Sequence, residues 1–218
     1  MDSAYYQNPR PEMLDFVPAS RRAVLEVGCG TAAFISTLTG CEEKWGIEPT
    51  SAAVAAKERL THLLHGPFDA VKHLLAKNYF DLVICNDVIE HMVDHRAFLT
   101  EIRDYIAPDG MLIGSIPNVC FYDTLFRMLW EKDWHYTDAG ILDRTHLAFF
   151  TAKSFSETLE ETGYRVVKIS GLHQDHVVDT TRKSYRYLRL ARLISRLSFG
   201  HFSDIRYFQF GFQAVPLR

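Results

Sequence analysis

The stretch VLEVGCGTAAF at residues 24–34 constrains the fold of this chain more than any other feature. An apolar segment that contains an acid, Glu26, runs directly into a turn with Gly28, Gly30 and several small side chains. Glycines at the end of a strand let the backbone approach a ligand closely, because they adopt conformations that other residues avoid. The pattern therefore predicts a strand, a tight ligand-binding turn and then a helix over residues 31–39.

Strand and helix patterns alternate through the first half of the chain, and this alternation predicts a parallel, doubly wound sheet. The predicted strands cover residues 24–28, 44–48, 61–66, 79–87, 111–119, 164–172 and 205–215. The predicted helices cover residues 31–39, 49–60, 94–106, 154–163 and 182–198. PDG at 108–110 is expected to form a turn. Residues 120–150 are rich in aromatics and histidine and show no clean period.

Composition is that of a globular protein, with 47% hydrophobic and 23% charged residues and a net charge of −3. This balance does not favour nucleic acid as a partner. Four scattered cysteines without a CxxC pair argue against structural zinc. The first residues lack a signal-peptide pattern and no apolar run approaches the ~20 residues of a membrane span, so we expect a soluble, cytoplasmic protein.

The glycine turn suits two kinds of cofactor. Gly28, Gly30 and Ala33 fit G-x-G-x-x-G/A, and Glu48 stands at the end of the next strand, where an acid can bind ribose hydroxyls. That spacing permits a dinucleotide and hence an NAD(P)-dependent oxidoreductase. Glu26 would repel a pyrophosphate and attract a cation, however, which favours S-adenosylmethionine, a cationic nucleoside without phosphate.

Four segments resemble, in order, successive motifs of the class I S-adenosylmethionine-dependent methyltransferases. They are EVGCGTA, WGIEP, FDLVICNDVIEHM and EIRDYIAPDGMLIGSIPN, within residues 20–119. Ala32 stands where the family has its third glycine. The resemblance implies a single Rossmann-like domain over residues 1–218, with a seven-stranded mixed sheet whose last strand is antiparallel and inserted as a hairpin partner.

The resemblance also implies a cofactor site. Glu26 and the turn would hold the methionine part, Glu48 the ribose, and Asn86 the amino-acid head from the other side. GPFD (66–69) would form the adenine pocket, although Pro67 replaces the acid that many relatives carry there. The implied cofactor-binding residues are Glu26, Gly28, Cys29, Gly30, Glu48, Pro49, Phe68, Asp69, Asn86 and Asp87.

The acceptor side is expected in WHYTDAGILDRTHLAFFT (134–151), part of which resembles a segment of bacterial methyltransferases that act on envelope saccharides and small molecules. We expect His146 to act as the base, because imidazole titrates near neutrality, with Asp143 orienting it. An internal ion pair between Asp143 and Arg144 is the competing interpretation. The catalytic candidates are His146, Asp143 and His91. The substrate-binding candidates are Arg144, His135 and Tyr6.

DVIEHM supplies Asp87, Glu90 and His91, a group that is similar to one linked to a divalent cation in some quinone-precursor O-methyltransferases. We expect instead a hydrogen-bonded cluster at a helix start and no metal. Residues 1–22 are predicted to form a lid, with Tyr5, Tyr6 and Arg10 over the cofactor, and residues 120–150 a substrate-side insert.

The helix at 182–198 is basic. Residues 182–197 carry six cations and no acid. We expect Leu190, Leu193, Ile194 and Leu197 on the face opposite the arginines. Two interpretations remain open: a helix packed on the sheet with a solvated cationic face, and peripheral contact with an anionic membrane or a lipid-linked substrate.

The sequence thus predicts a methyltransferase that uses S-adenosylmethionine to O-methylate a small molecule or a saccharide or envelope precursor. It makes no prediction of oligomeric state. An oxidoreductase and a non-catalytic, cofactor-binding assembly subunit are the alternatives.

Overall fold

A computed structural model describes residues 8–178 and 181–218, and its seven strands form one sheet. The strands are β1 (Ala23–Val27), β2 (Glu43–Glu48), β3 (His62–His65), β4 (Phe80–Asn86), β5 (Ile106–Pro117), β6 (Tyr164–Gln174) and β7 (Tyr207–Pro216). Their order is β3-β2-β1-β4-β5-β7-β6. β1 to β5 pair in parallel, whereas β7 is antiparallel to both β5 and β6. The predicted mixed sheet, with its last strand inserted antiparallel, is confirmed.

In the described part of the chain, six α-helices and several 3-10 turns connect the strands. The helices are α1 (Ala53–Ala56), α2 (Phe68–Val71), α3 (His95–Ile102), α4 (Tyr122–Glu131), α5 (Ala152–Glu161) and α6 (Arg182–Leu197). Side-chain caps fix three of the helix starts. Asp94 accepts from the Ala97 amide at 2.8 Å before α3, Thr151 from the Ser154 amide at 3.1 Å before α5, and Thr181 from the Ser184 amide at 3.3 Å before α6. No described helix has both the length and the apolar character that a transmembrane span requires.

Apolar residues form a core on each face of the sheet and a third cluster beyond its edge. One face is covered by α3 and α5, with Phe98, Leu99 and Phe155 buried. The other is covered by the 3-10 helix Pro11–Phe16 and by Ile35–Thr37. The third cluster joins α4, α6 and the 3-10 turn Ser203–Arg206. Because α4 follows β5 and α6 follows β6, these elements lie at the edge where the parallel strands end, and we call them the cap.

Several predicted helices and turns are shorter or absent. The helix expected at 31–39 is reduced to the 3-10 turn Ile35–Thr37, since Ala32 has a φ of 59°, in the left-handed region that interrupts a helix. The helix expected at 49–60 is only α1. The expected PDG turn lies inside β5, where a register irregularity absorbs it: Phe80 pairs with Ile106, and Leu82 already pairs with Met111.

Two features of the cap differ from expectation. The insert contains α4, whose pattern was obscured because Leu129 and Trp130 face outward rather than into the core. In α6 the buried face carries Tyr187, Leu188 and small residues, whereas Leu193 and Leu197 are exposed together with the arginines. The expected separation of leucines and arginines onto opposite faces is therefore wrong.

The predicted lid is described only from residue 8 onward, so Tyr5 and Tyr6 lie outside the described residues. The 3-10 helix Pro11–Phe16 packs on β5 and β7, and Gln213 donates to the Phe16 carbonyl at 2.6 Å. Arg10, directly before this helix, reaches the ends of β4 and β5.

Candidate active site

Polar side chains gather where β1, β2, β4 and β5 end, because parallel strands end at one edge of a sheet. Glu26 and Glu48 lie near the ends of β1 and β2, and Asn86 and Asp87 lie at the end of β4. All of these residues are buried or partly buried. The structure thus brings together the predicted methionine-binding and ribose-binding residues.

The glycine turn is built by backbone bonds to β2. Gly28 and Cys29 donate to the Ile47 carbonyl at 2.8 and 3.1 Å. Gly28 has a φ of +68°, and a Cβ there would lie 2.7 Å from Val88 Cγ2, so only glycine fits. The Cys29 side chain is buried toward Gly46, so Cys29 offers a ligand its backbone alone.

Glu48 ties the turn to the next strand. Its Oε2 accepts from the Gly30 amide and its Oε1 from the Thr50 amide, both at 2.8 Å. Each carboxylate oxygen has a second lone pair, so the side chain keeps acceptor capacity for a ribose hydroxyl. The neighbouring Pro49 is exposed.

Glu26 is a buried carboxyl with a perturbed pKa. Burial raises the pKa of Glu26 to about 8, although the Ile35 amide, Arg10 and Asn86 each lower it. The Ile35 amide donates to Oε2 at 3.3 Å. A buried carboxyl of this kind becomes a stable carboxylate when a cation arrives beside it.

Asn86 contributes an unpartnered amide to the same place. Asn86 lies close enough to Glu26 to lower its pKa, but its buried Oδ1 and Nδ2 make no hydrogen bond within 3.5 Å to any of residues 8–178 and 181–218. Buried amides are normally bonded, so these two atoms are available to a ligand. One donor, one acceptor and the Glu26 carboxyl match the ammonium and carboxylate of an amino-acid head, and the residues present fit S-adenosylmethionine.

Asp87 anchors a network at the end of β4. Its carboxylate pairs with Arg10 and accepts from the Ser115 hydroxyl at 2.8 Å and from Gln209 Nε2 at 2.9 Å. Arg10 also donates to Ser115 Oγ at 2.7 Å. The sequence missed Ser115 and Gln209, which carry no motif. Ser115 meets Asp87 because β5 pairs with β4, and Gln209 meets it because β7 pairs with β5.

The structure contradicts the expected adenine contacts. The Phe68 ring lies in the core, edge-on to Phe98 at 5.0 Å between centroids, and is not open to a ligand. Asp69 points to solvent and pairs with Lys72 at 2.9 Å. Both residues belong to α2, which the sequence did not predict and which turns Phe68 inward.

Three further groups converge beside Asp87. The ligand atoms of Glu90, His91 and His146 all lie within 4.8 Å of one another. Glu90 is fully buried, and neither of its carboxyl oxygens has a hydrogen-bond partner in the described part of the chain. Burial, reinforced by the charge of Asp87, raises its pKa well above the usual range. The expected hydrogen-bonded cluster is therefore wrong for Glu90, and two imidazoles with one carboxylate can hold a divalent cation.

His146 is held in one orientation. Its Nδ1 lies 2.9 Å from the Ile141 carbonyl, which can only accept, so Nδ1 carries the hydrogen and Nε2 is an acceptor in the neutral ring. Burial lowers the pKa of His146, which keeps the ring neutral. The His91 ring lies 4.7 Å away, edge to face, with its Nδ1 3.2 Å from the Thr145 carbonyl.

The other residues predicted on the acceptor side do not belong to the cluster of Glu90, His91 and His146. Asp143 accepts from the Thr145 hydroxyl at 2.6 Å, so Ile141 rather than Asp143 orients His146. Arg144 pairs at 2.7 Å with Asp138, which also rules out the alternative Asp143–Arg144 pair. His135 is exposed near Asp133. Tyr6 is among the residues that are not described.

A Rossmann-like sheet with these acidic and amide side chains at its strand ends is typical of an enzyme that binds a nucleoside cofactor. A comparison with family models identifies the class of enzyme. A family model described as a methyltransferase domain matches residues 3–169. The chain therefore belongs to the methyltransferase domain family, as its motifs predicted. This assignment makes the oxidoreductase alternative wrong.

Relatives with assigned names agree with this class. The ubiquinone biosynthesis O-methyltransferase of Rhodopseudomonas palustris (strain HaA2) is 28% identical over 100 residues, which cover 44% of this chain and 40% of that protein. The same enzyme of Vibrio atlanticus (strain LGP32) is 26% identical over 74% of this chain and 70% of that protein. The chain spans about 40% of the length of the Rhodopseudomonas and Bradyrhizobium relatives.

Solved structures share the fold. A SAM-dependent methyltransferase from Archaeoglobus fulgidus superposes with a TM-score of 0.67 at 16% identity, over 98% of this chain and 94% of that one. A putative S-adenosylmethionine-dependent methyltransferase from Listeria monocytogenes gives 0.63 at 14% identity, over 99% and 100%. The fold is thus that of the S-adenosylmethionine-dependent methyltransferases.

Proposed function

We propose that this chain transfers a methyl group from S-adenosylmethionine to an oxygen of a small molecule or a saccharide or envelope precursor. The observation that carries the proposal is the buried Glu26 carboxyl beside the Asn86 amide, whose two polar atoms make no hydrogen bond within 3.5 Å to the described residues. The named O-methyltransferase relatives support an oxygen acceptor.

We assign cofactor binding to residues at the ends of β1, β2 and β4 and in the glycine turn. When bound, S-adenosylmethionine supplies a methyl group on a sulfonium, which needs positioning more than activation. Glu26 and Asn86 would hold the amino-acid head, Glu48 would accept from the ribose, and the backbone at Gly28 and Gly30 would allow close approach.

His146 is assigned as the general base. Its Nε2 is the acceptor atom of a neutral, buried imidazole, and Glu90 and His91 have ligand atoms within 4.8 Å of the His146 ring. Such a base would remove the proton of the acceptor hydroxyl while the methyl group passes from sulfur to that oxygen, which would leave S-adenosylhomocysteine as the second product. Arg144 and His135, on the exposed segment that precedes His146, would contact an anionic acceptor.

The same cluster suits a divalent cation as a second role. Glu90, His91 and His146 would hold the ion, which would act as a Lewis acid and lower the pKa of the acceptor hydroxyl. The unpartnered Glu90 carboxyl is the specific observation that favours it. Removal of metal with a chelator and titration with Mg²⁺, Mn²⁺ or Zn²⁺ separates the two roles.

The base assignment is tested with His146→Ala and a matched control, His73→Ala, at an exposed position away from the site. We expect His146→Ala to lower kcat by about 10²- to 10⁴-fold, measured by S-adenosylhomocysteine release with phenolic and sugar acceptors. Calorimetric affinity for S-adenosylhomocysteine should stay unchanged in both variants. Full turnover in His146→Ala contradicts the assignment, and cofactor binding without turnover of any acceptor favours the assembly subunit.

A further inference from the structure

The outward face of α6 and the turn after it combine cations with apolar side chains. We call the set Arg186, Arg189, Leu193, Arg196, Leu197 and Phe199 the docking face. All six side chains are exposed, and Phe199 is entirely so. Soluble surfaces rarely gather large apolar groups among unpaired cations, so this face requires an explanation.

The cations of the docking face are not neutralised by ion pairs within the described chain, unlike two other cations of α6. Lys183 pairs with Glu131, and Arg192 pairs with Asp175 at 3.0 Å. The side chains of Arg186, Arg189 and Arg196, in contrast, form no ion pair or hydrogen bond with any residue that the structure describes. Three guanidinium groups on one helix face are thus available to an anionic partner.

Backbone hydrogen bonds fix the conformation of the C-terminal end of α6, where Leu197 and Phe199 are exposed. Gly200 donates to the Ser195 carbonyl at 2.9 Å and Phe199 to the Arg196 carbonyl at 3.2 Å, which closes the helix end. Phe199 itself has a φ of 51°, unusual for a residue with a side chain. The helix therefore presents Leu193, Leu197 and Phe199 on a fixed element rather than on a loose chain end.

We propose that this face docks the cap on an anionic lipid bilayer. A bilayer surface offers phosphates to arginines and acyl chains to leucine and phenylalanine at the same depth, which is how amphipathic helices lie in the interface. Nucleic acid satisfies the cations but has no place for Leu193 and Leu197. Trp130, exposed on α4 beside Arg182 and Arg186, adds a side chain that favours the membrane–water boundary.

Docking has a consequence for the acceptor. Because the cap stands at the edge where Glu26, Asn86 and Glu90 lie, a docked cap holds that edge near the lipid surface. The face thus assigns a membrane-partitioned or lipid-linked acceptor to the proposed reaction. Only this last step rests on the proposed methyl transfer, since lipid binding itself does not require turnover.

The experiment is vesicle co-sedimentation of the full chain, with and without anionic lipid. We expect binding to phosphatidylglycerol-containing vesicles, little binding to pure phosphatidylcholine, and strong weakening between about 0.1 M and about 0.5 M salt. The R186Q/R189Q/R196Q variant should partition about 10²-fold less, given about a factor of five per arginine near the surface. F199S should weaken binding about tenfold without changing the salt dependence.

The matched control changes the same charge elsewhere. K57Q/K153Q/R165Q replaces three exposed cations away from α6, and it should bind vesicles as the parent chain does. Equal loss in both triple variants would mean a net-charge effect and would overturn the proposal. A parent chain that stays in the supernatant, or that binds RNA through these arginines but not vesicles, would overturn it as well. Methyl transfer by a chain that ignores vesicles would leave the proposed function standing.

Discussion

The buried carboxyl of Glu26 should make cofactor binding depend on pH. With its pKa raised to about 8 by burial, most of the protein holds a proton there at neutral pH. A ligand ammonium binds the ionised form, so binding must release the proton. From about pH 7 to about pH 6 the ionised fraction falls about ninefold, and we expect the affinity for S-adenosylhomocysteine to fall by the same factor.

Calorimetry measures both sides of this linkage. Titrations in two buffers of different ionisation enthalpy should report release of about 0.9 proton per ligand near pH 7, the protonated fraction for that pKa. 5′-Methylthioadenosine, which lacks the amino-acid head, is the control ligand and should bind with no pH dependence over the same range.

Glu26→Gln tests the cause. The variant should bind S-adenosylhomocysteine weakly at every pH and release no proton. Because the folded pKa lies above the ordinary value of 4.5, unfolding releases a proton at higher pH, and stability falls as pH rises from 4.5 to about 8. The glutamine removes that loss, so its gain in Tm should be larger near pH 8 than near pH 5. A parent chain with pH-independent affinity and no proton release would refute the reasoning.

Two further substitutions probe the frame of the site. Gly28→Ala places a side chain at a φ of +68° and against Val88. The backbone strain alone should lower the free energy of unfolding by about 1–2 kcal/mol, measured by urea unfolding. Adding Val88→Ala should relieve the clash but leave the backbone strain. Arg10→Met leaves Asp87 without its cation and should lower the free energy of unfolding by about 3 kcal/mol. A double-mutant cycle with Asp87→Asn that shows no coupling energy would contradict a stabilising ion pair.

The cofactor half of the site could be read from the sequence because it is local. Glu26, Gly28 and Gly30 lie within one strand and turn, and Glu48 follows at a spacing that one strand-to-strand crossover sets. Each of these residues lies where the spacing placed it. The predicted adenine contacts depended on residues 66–69, part of which forms the unrecognised helix α2, and this helix turns Phe68 into the core.

The acceptor half could be read only in part because it is assembled from distant segments. His146 was singled out by its chemistry, but its orienting carbonyl at Ile141 and its neighbour Glu90 follow from how the insert folds back on β4. Backbone carbonyls leave no trace in a sequence, and an unpartnered carboxyl is visible only once its surroundings are known. Likewise, Ser115 depends on the pairing of β4 with β5, and Gln209 on the pairing of β5 with β7.

Acidic side chains lie beneath the cap and basic side chains lie on its outer face, and this division suits both the proposed cofactor and the proposed membrane surface. Six positive charges in α6 within a chain of formal net charge −3 leave a formal −9 for the rest. Three acidic side chains, Glu26, Asp87 and Glu90, lie at the edge beneath the cap, and a cation that arrives there favours the ionised form of the two whose pKa burial raises, Glu26 and Glu90. The acidic interior favours a cationic cofactor, whereas the cationic exterior favours an anionic surface. A uniformly basic domain would attract the membrane and repel the cofactor, and a uniformly acidic one would do the opposite. Segregation within one small fold resolves that conflict, because salt screens the exposed arginines, whereas the buried acids act directly on a ligand that binds beside them.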